Sequence, residues 1–163
     1  MSRSLTEITL HFVWATKKRE PVITARWEPM VYRCIQGECR SLGVVVLALG
    51  GLENHVHLLA TVPGHISASK VMQQVKGVSA RFANGELPLT AFLRWQEGYN
   101  ARSVSRADVE RVKQYVLCQK QHHADADLWY DWEQNADDQL PKRGECLPAR
   151  TFTSSSSCMV SSS

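Results

Sequence analysis

The first 16 residues set the pattern: "LTEITLHFVWAT" (5–16) is rich in β-forming residues with partial alternation of apolar and polar positions, which predicts a strand. A basic loop, "KKREPVIT", follows. A helix is predicted beyond it to about Leu42, stopped by Gly43, with Pro29 tolerable only in the first turn. "VVVLALGG" reads as a second strand and "HVHLLATV" as a third, paired as a hairpin across "GGLEN". In "SASKVMQQVKGVSARFANG" apolar residues recur at Val71, Val75, Val78 and Phe82, a helical spacing, with Ser67 as N-cap and Gly85 as stop. "LRWQEGYNARSV" suggests one or two short strands around a glycine turn. The last clear element, "SRADVERVKQYVLCQKQHH", opens on Ser105 and Asp108 in a capping-box-like pair and buries a stripe of Val109, Val112 and Val116.

The order is β-α-β-β-α-β-(β)-α. The fold class is therefore α+β: a ferredoxin-like, split βαβ antiparallel sheet with an additional C-terminal helix. Residues 1–123 form one domain, and residues 124–163 an acidic, then serine-rich tail, with seven serines in the last thirteen positions. Such a tail cannot bury apolar surface and is read as partly disordered. No internal repeat is present.

Composition changes this picture little. The chain of 163 residues is 44% hydrophobic and 21% charged, as expected of one globular domain with its own core. The longest apolar run, "VVVLAL", is too short to span a bilayer, and the N-terminus lacks an apolar signal segment, so no membrane role and a cytoplasmic location are expected. Five cysteines, an odd number without CxxC spacing, read as reduced thiols with no metal role. Charge is uneven: residues 1–123 hold 16 Lys/Arg against 9 Asp/Glu, and the remainder 3 against 7. A basic body suits a polyanionic partner, although this signal is weak alone.

Candidate chemistry gathers in two places. His55 and His57 flank Val56 on the third strand, so both point to one face. Alone, such a pair is as readily a hydrogen-bonded core feature as two thirds of a metal site. On the last helix Tyr115 and Gln119 are four residues apart on one side, with His122 three further on. Alone, Tyr115 reads as a core-edge aromatic. If that helix crosses the sheet face bearing the histidines, two imidazoles and the Gln119 amide oxygen could hold a hard divalent cation beside a tyrosine hydroxyl. A tyrosine so placed can attack a phosphodiester and conserve its bond energy as an ester.

These residues are familiar together. "HVHLL" resembles the His-hydrophobic-His (HUH) motif, and "FVWATKKREPVIT", "KGVSARFAN", "WQEGYNARSVS" and "YVLCQKQHH" resemble, in order, segments of the small single-tyrosine transposases. That family comprises the TnpA-like enzymes of small insertion sequences and their relatives associated with repetitive extragenic palindromes (REPs). The similarity spans residues 5–123. It implies Mg2+- or Mn2+-dependent cleavage and rejoining of single-stranded DNA beside hairpins, through a 5′-phosphotyrosine. His55, His57 and Gln119 match the family's metal ligands and Tyr115 its nucleophile. The resemblance also implies a homodimer, although palindrome-associated members can be monomers. Asn100 and Arg102 depart from the glycine and phenylalanine of the family pattern, which bears on hinge geometry and DNA choice.

For DNA contacts the candidates are Lys17, Lys18 and Arg19 in the first loop and Lys76 and Arg81 on the second helix, each of which could equally be a solvated charge. Trp14 and Trp95 read better as core than as base-stacking platforms, and His11 could face the core, the DNA or neither. Two other classes compete with a transposase: a non-catalytic single-strand binding module, which needs neither histidines nor tyrosine, and a phosphoesterase using water. An HUH replication initiator would share the chemistry, but the flanking segments fit it less well.

Overall fold

The structure, a computed structural model, describes residues 5–88, 91–126 and 128–129. Strand β1 (Ile8–Ala15) leads through a 3-10 turn (Lys17–Arg19) into helix α1 (Glu28–Ser41). A hairpin of β2 (Val45–Leu52) and β3 (His55–Val62) follows, then α2 (Ala68–Glu86), β4 (Asn100–Ser103), α3 (Val109–Leu117) and α4 (Gln119–Ala124). The four strands form one antiparallel sheet in the order β2-β3-β1-β4. This is the split βαβ arrangement that the element order predicts, in which each βαβ unit leaves a gap for a strand of the other. The acidic and serine-rich segment from residue 130 onward lies outside the described residues, as does Asp127. Among the described residues no helix is long and apolar enough to cross a membrane.

The local signals act largely as their chemistry dictates. Pro29 sits in the first turn of α1, where its missing N–H costs no intrahelical bond. Ser67 caps α2 by accepting a hydrogen bond from the backbone N–H of Lys70 at 3.2 Å. Three details differ from the sequence reading. Gly85 does not stop α2, which runs through it to Glu86, because no left-handed turn is imposed there. The buried stripe of α2 is Val71, Met72, Val75, Ser79 and Ala83, with Val78 and Phe82 only half-buried. Gly50 and Gly51 belong to β2, so the hairpin turn is the two-residue Glu53-Asn54. Cys34 and Cys39 are free thiols on α1, as the reduced-thiol reading expects.

Residues directly opposite on paired strands share a face. Phe12, Trp14, Val56, Leu58, Ala60 and Val62 line the face covered by α1 and α2, and all are essentially inaccessible. Trp14 packs edge-on against Trp95 at 5.8 Å between ring centroids, so Trp14 is a core residue and the half-buried Trp95 packs against the core. The other face carries Ala48, Leu59, Val112 and Val116, where α3 crosses the sheet. One extra residue in β2, between Val46 and Ala48, shifts its register there and turns Ala48 toward α3.

Candidate active site

His11, Val13 and Ala15 of β1 lie on the α3 face opposite Leu59, His57 and His55 of β3, while β4 places Arg102 opposite His11 and Asn100 opposite Val13. Strand alternation thus delivers three histidines to one surface. His11, His55 and His57 are each at most 2% exposed. Buried imidazoles need partners, and two are visible. His55 Nδ1 lies 2.7 Å from Asn54 Oδ1, an oxygen that only accepts, so Nδ1 carries a proton directed at it and Nε2 is the nitrogen left to face the site. His11 Nε2 and His57 Nδ1 are 3.0 Å apart, with the two rings nearly parallel.

The tyrosine helix approaches this surface closely because β2 carries a glycine beneath it. A Cβ on Gly50, the register partner of His57, would overlap the Val116 carbonyl oxygen. Gly51, at φ +154°, has no room either, since a Cβ would strike the carbonyl of His55. With that clearance Tyr115 reaches the histidines: its buried ring meets His57 edge-on at 6.0 Å and lies 4.9 Å from His122. Trp129 stacks on its other side at 4.6 Å, and the Trp129 backbone N–H donates to the Tyr115 hydroxyl at 3.3 Å.

The predicted single last helix is two. α3 ends at Leu117, Cys118 leaves helical geometry (φ −98°, ψ 20°), and α4 begins at Gln119. The break keeps Gln119 buried: its Nε2 donates to the Tyr115 carbonyl at 3.4 Å, and its Oε1 has no hydrogen-bond partner among the described residues. α4 also brings His123 to within 5.0 Å of His55, ring to ring. Likewise Ser105 and Asp108 bond to each other (2.6 Å) rather than forming a capping box, since no side chain caps α3.

The structure thus packs Tyr115 against His57, which neighbours His55 at 5.1 Å between ring centroids, and ties the buried Gln119 amide to the Tyr115 backbone. A buried amide oxygen lacking a partner is costly unless something binds it. Two imidazoles with that oxygen make a donor set suited to a magnesium- or manganese-like cation. The described residues hold no group of three or more His, Cys, Asp or Glu side chains that could hold a metal, so a cation bound by the two histidines would need a further ligand such as the amide.

The basic candidates divide. Lys17, Lys18 and Arg19 are exposed in a turn directly after Ala15, the register partner of His55, at the histidine end of the sheet. Lys18 and Arg19 adopt left-handed backbone (φ 56° and 53°), and the Thr16 hydroxyl secures the turn by donating to the Glu20 carbonyl at 2.7 Å. Lys76 and Arg81 lie on α2, which covers the opposite face. The Lys76 ammonium is engaged by the carbonyls of Gln96, Glu97 and Gly98 at 2.5, 3.0 and 3.1 Å, so it braces the loop before β4. Sequence reasoning missed Arg94 and Phe92, which share an open depression with Lys17 and Lys18. It also left the role of His11 open, although the parity of β1 against β3 contains that answer.

A four-stranded antiparallel α+β sheet with this topology defines the class, and comparison places it. Two solved structures are similar. One is a candidate transposase from Deinococcus radiodurans R1, with 22% identity, a TM-score of 0.58, and coverage of 73% of this chain and 98% of that one. The other is a REP-associated tyrosine transposase bound to a REP hairpin, with 16% identity, a TM-score of 0.58, and coverage of 91% and 98%. No curated protein matches the sequence. The model of the IS200-like transposase family matches residues 4–119, and the chain belongs to that family.

Proposed function

We propose that this transposase cleaves and rejoins single-stranded DNA beside hairpins, with Tyr115 as the nucleophile. The observation that carries the reading is the packing of Tyr115 against His57 on the face that also holds His55, with the oxygen of Gln119, one helical turn from Tyr115, buried and unsatisfied. The Tyr115 oxygen attacks phosphorus and loses its proton. The bond from phosphorus to the 3′-oxygen breaks, and that oxygen takes a proton to become a free 3′-hydroxyl. The strand's 5′-phosphate is left ester-linked to the tyrosine, and attack by another 3′-hydroxyl reverses the step and rejoins DNA. His55 Nε2, His57 Nε2 and Gln119 Oε1 would hold Mg2+ or Mn2+, which when bound neutralises phosphate charge.

Substrate strands are expected to enter past the Lys17–Arg19 turn, whose charges give salt-sensitive phosphate contacts. The REP hairpin held by the similar transposase supports a hairpin substrate here. The assembly implied by the resemblance is a homodimer, but Tyr115 lies against His57 of its own chain, so a monomer also carries the set. A cytoplasmic location follows from a DNA substrate.

The test is a denaturing gel with mass spectrometry, using magnesium and a pool of labelled hairpin-bearing single strands. Wild type should yield an adduct on Tyr115, absent from Tyr115→Phe and His57→Ala, with hairpin binding retained in Tyr115→Phe. An adduct persisting in Tyr115→Phe would move the nucleophile elsewhere. Binding without an adduct in all three proteins would favour a binding module.

A further inference from the structure

The buried histidine of β1 has no part in the chemistry above. His11 is a diagonal neighbour of His57: it stands opposite Leu59 on β3, two residues from His57, and its ring lies 5.2 Å from the His57 ring at an interplanar angle of 19°. Its Nε2 is 3.0 Å from His57 Nδ1, and both side chains are excluded from water. Two facing ring nitrogens share one proton, and which ring owns it matters. If His11 Nε2 carries the proton, His57 accepts at Nδ1, and a neutral His57 must then hold its own proton on Nε2, blocking that atom as a ligand. If His57 Nδ1 carries it, Nε2 presents a lone pair.

We infer that His11 is a positioning residue: its Nε2 accepts the Nδ1–H of His57 and thereby fixes both the tautomer and the ring orientation that let His57 Nε2 serve as a ligand. This rests on the reading of His55, His57 and Gln119 as a cation-holding set. Three observations support the direction of the bond. His55 has the same arrangement, with Nδ1–H directed to Asn54 Oδ1, so the two rings present equivalent Nε2 atoms. The Gln119 Oε1, one helical turn from Tyr115, accepts no hydrogen bond among the described residues, so no N–H of a histidine is directed at it. The two rings lie nearly parallel with the facing nitrogens 3.0 Å apart, so an N–H in the plane of His57 points along the lone-pair direction of His11. A second group that holds a ligand histidine in this way typically changes metal affinity by about 10-fold to 100-fold when removed.

The test uses the full chain, labelled with 15N-histidine and free of metal, in wild-type, His11→Leu and His11→Gln forms. Gln places an amide oxygen near the position of the imidazole Nε2, whereas Leu fills the volume without an acceptor. Long-range 15N–1H spectra, with His57 assigned from the signals missing in His57→Ala, should show His57 protonated on Nδ1 in wild type and His11→Gln. In His11→Leu it should be shifted toward the Nε2-protonated form. Mn2+ titration followed by electron paramagnetic resonance should then show affinity about 10-fold weaker for His11→Leu and close to wild type for His11→Gln. Should His11→Leu fail to fold, His11→Asn replaces it, its shorter amide stopping short of His57. The same His57 tautomer in all three proteins would overturn the inference, as would equal Mn2+ affinity despite a changed tautomer. A wild-type protein that binds no Mn2+ overturns the cation reading itself, and the tautomer spectra then judge the His11–His57 bond alone.

Discussion

On the face of the sheet beneath α1 and α2, Phe12, Trp14, Val56, Leu58 and Val62 make an apolar layer. On the other face, beneath α3 and α4, the equally buried positions include His11, His55, His57 and Gln119, and the apolar cluster shrinks to Ala48, Leu59, Val112 and Val116 with three half-buried neighbours. One face earns stability from hydrophobic burial, while the other spends burial on polar groups whose desolvation must be matched by partners. The same strands supply both, because alternate residues serve opposite faces. Stability and chemistry are thereby separable by residue parity, and substitutions should divide accordingly.

The largest loss of stability should come from the apolar face. Phe12→Ala removes a fully buried ring and should cost about 3–5 kcal/mol in urea unfolding, with adduct formation by the remaining folded protein close to wild type. Loss of adduct formation without loss of stability would break the proposed division. Gly50→Ala is the converse. The added methyl meets the Val116 carbonyl, so α3 must move off the sheet, at about 1–3 kcal/mol. Because the displaced helix carries Tyr115, the rate of adduct formation should fall by roughly 100-fold, the usual consequence of misplacing a reacting group by about 1 Å. A folded Gly50→Ala protein with full activity would show that α3 does not need its close seat.

A smaller effect is expected at the one polar residue buried in α2. Ser79 donates to the Val75 carbonyl at 2.6 Å and accepts from Trp95 Nε1 at 3.1 Å. Ser79→Ala orphans the indole N–H, a penalty of about 1–3 kcal/mol that the better helix propensity of alanine offsets by about 0.5 kcal/mol. The net loss should be near 1 kcal/mol by thermal unfolding, with adduct formation unchanged.

Much of this division could be read from the residues. Alternation around His-Val-His puts the two imidazoles on one face, and the four-residue step from Tyr115 to Gln119 puts both on one side of a helix. The apolar spacing also yields the element order and the Ser67 cap. The rest depends on partners that a single strand or helix does not name. His11 finds its role only when β1 is registered against β3, and Gly50 only when α3 is laid across β2. The break at Cys118 is hidden because "QYVLCQKQHH" has neither proline nor glycine, and tertiary packing of Gln119 overrides helical propensity there. Lys76 lies in a segment resembling DNA-contacting sequence, yet its ammonium faces the carbonyls of residues 96–98, a contact twenty or more residues distant.

The two faces meet at the Glu53-Asn54 turn, and an ion pair joins them there. Lys120 of α4 reaches Glu28 of α1 at 2.8 Å, linking the helix after the tyrosine to the helix beneath the opposite face. The Lys120 side chain is 62% exposed and that of Glu28 17% exposed, so water screens the attraction and the long lysine side chain loses entropy in holding it. Glu28→Gln should therefore cost less than about 1 kcal/mol in low salt, and nothing measurable at about 1 M salt, where the Debye length is about 3 Å. Adduct formation should not change, since Tyr115 and Gln119 are held by α3, Gly50 and backbone contacts rather than by this pair. If Glu28→Gln instead slowed adduct formation at unchanged stability, the apolar face would be setting the position of α4. The two faces would then be coupled mechanically, despite their separation by residue parity.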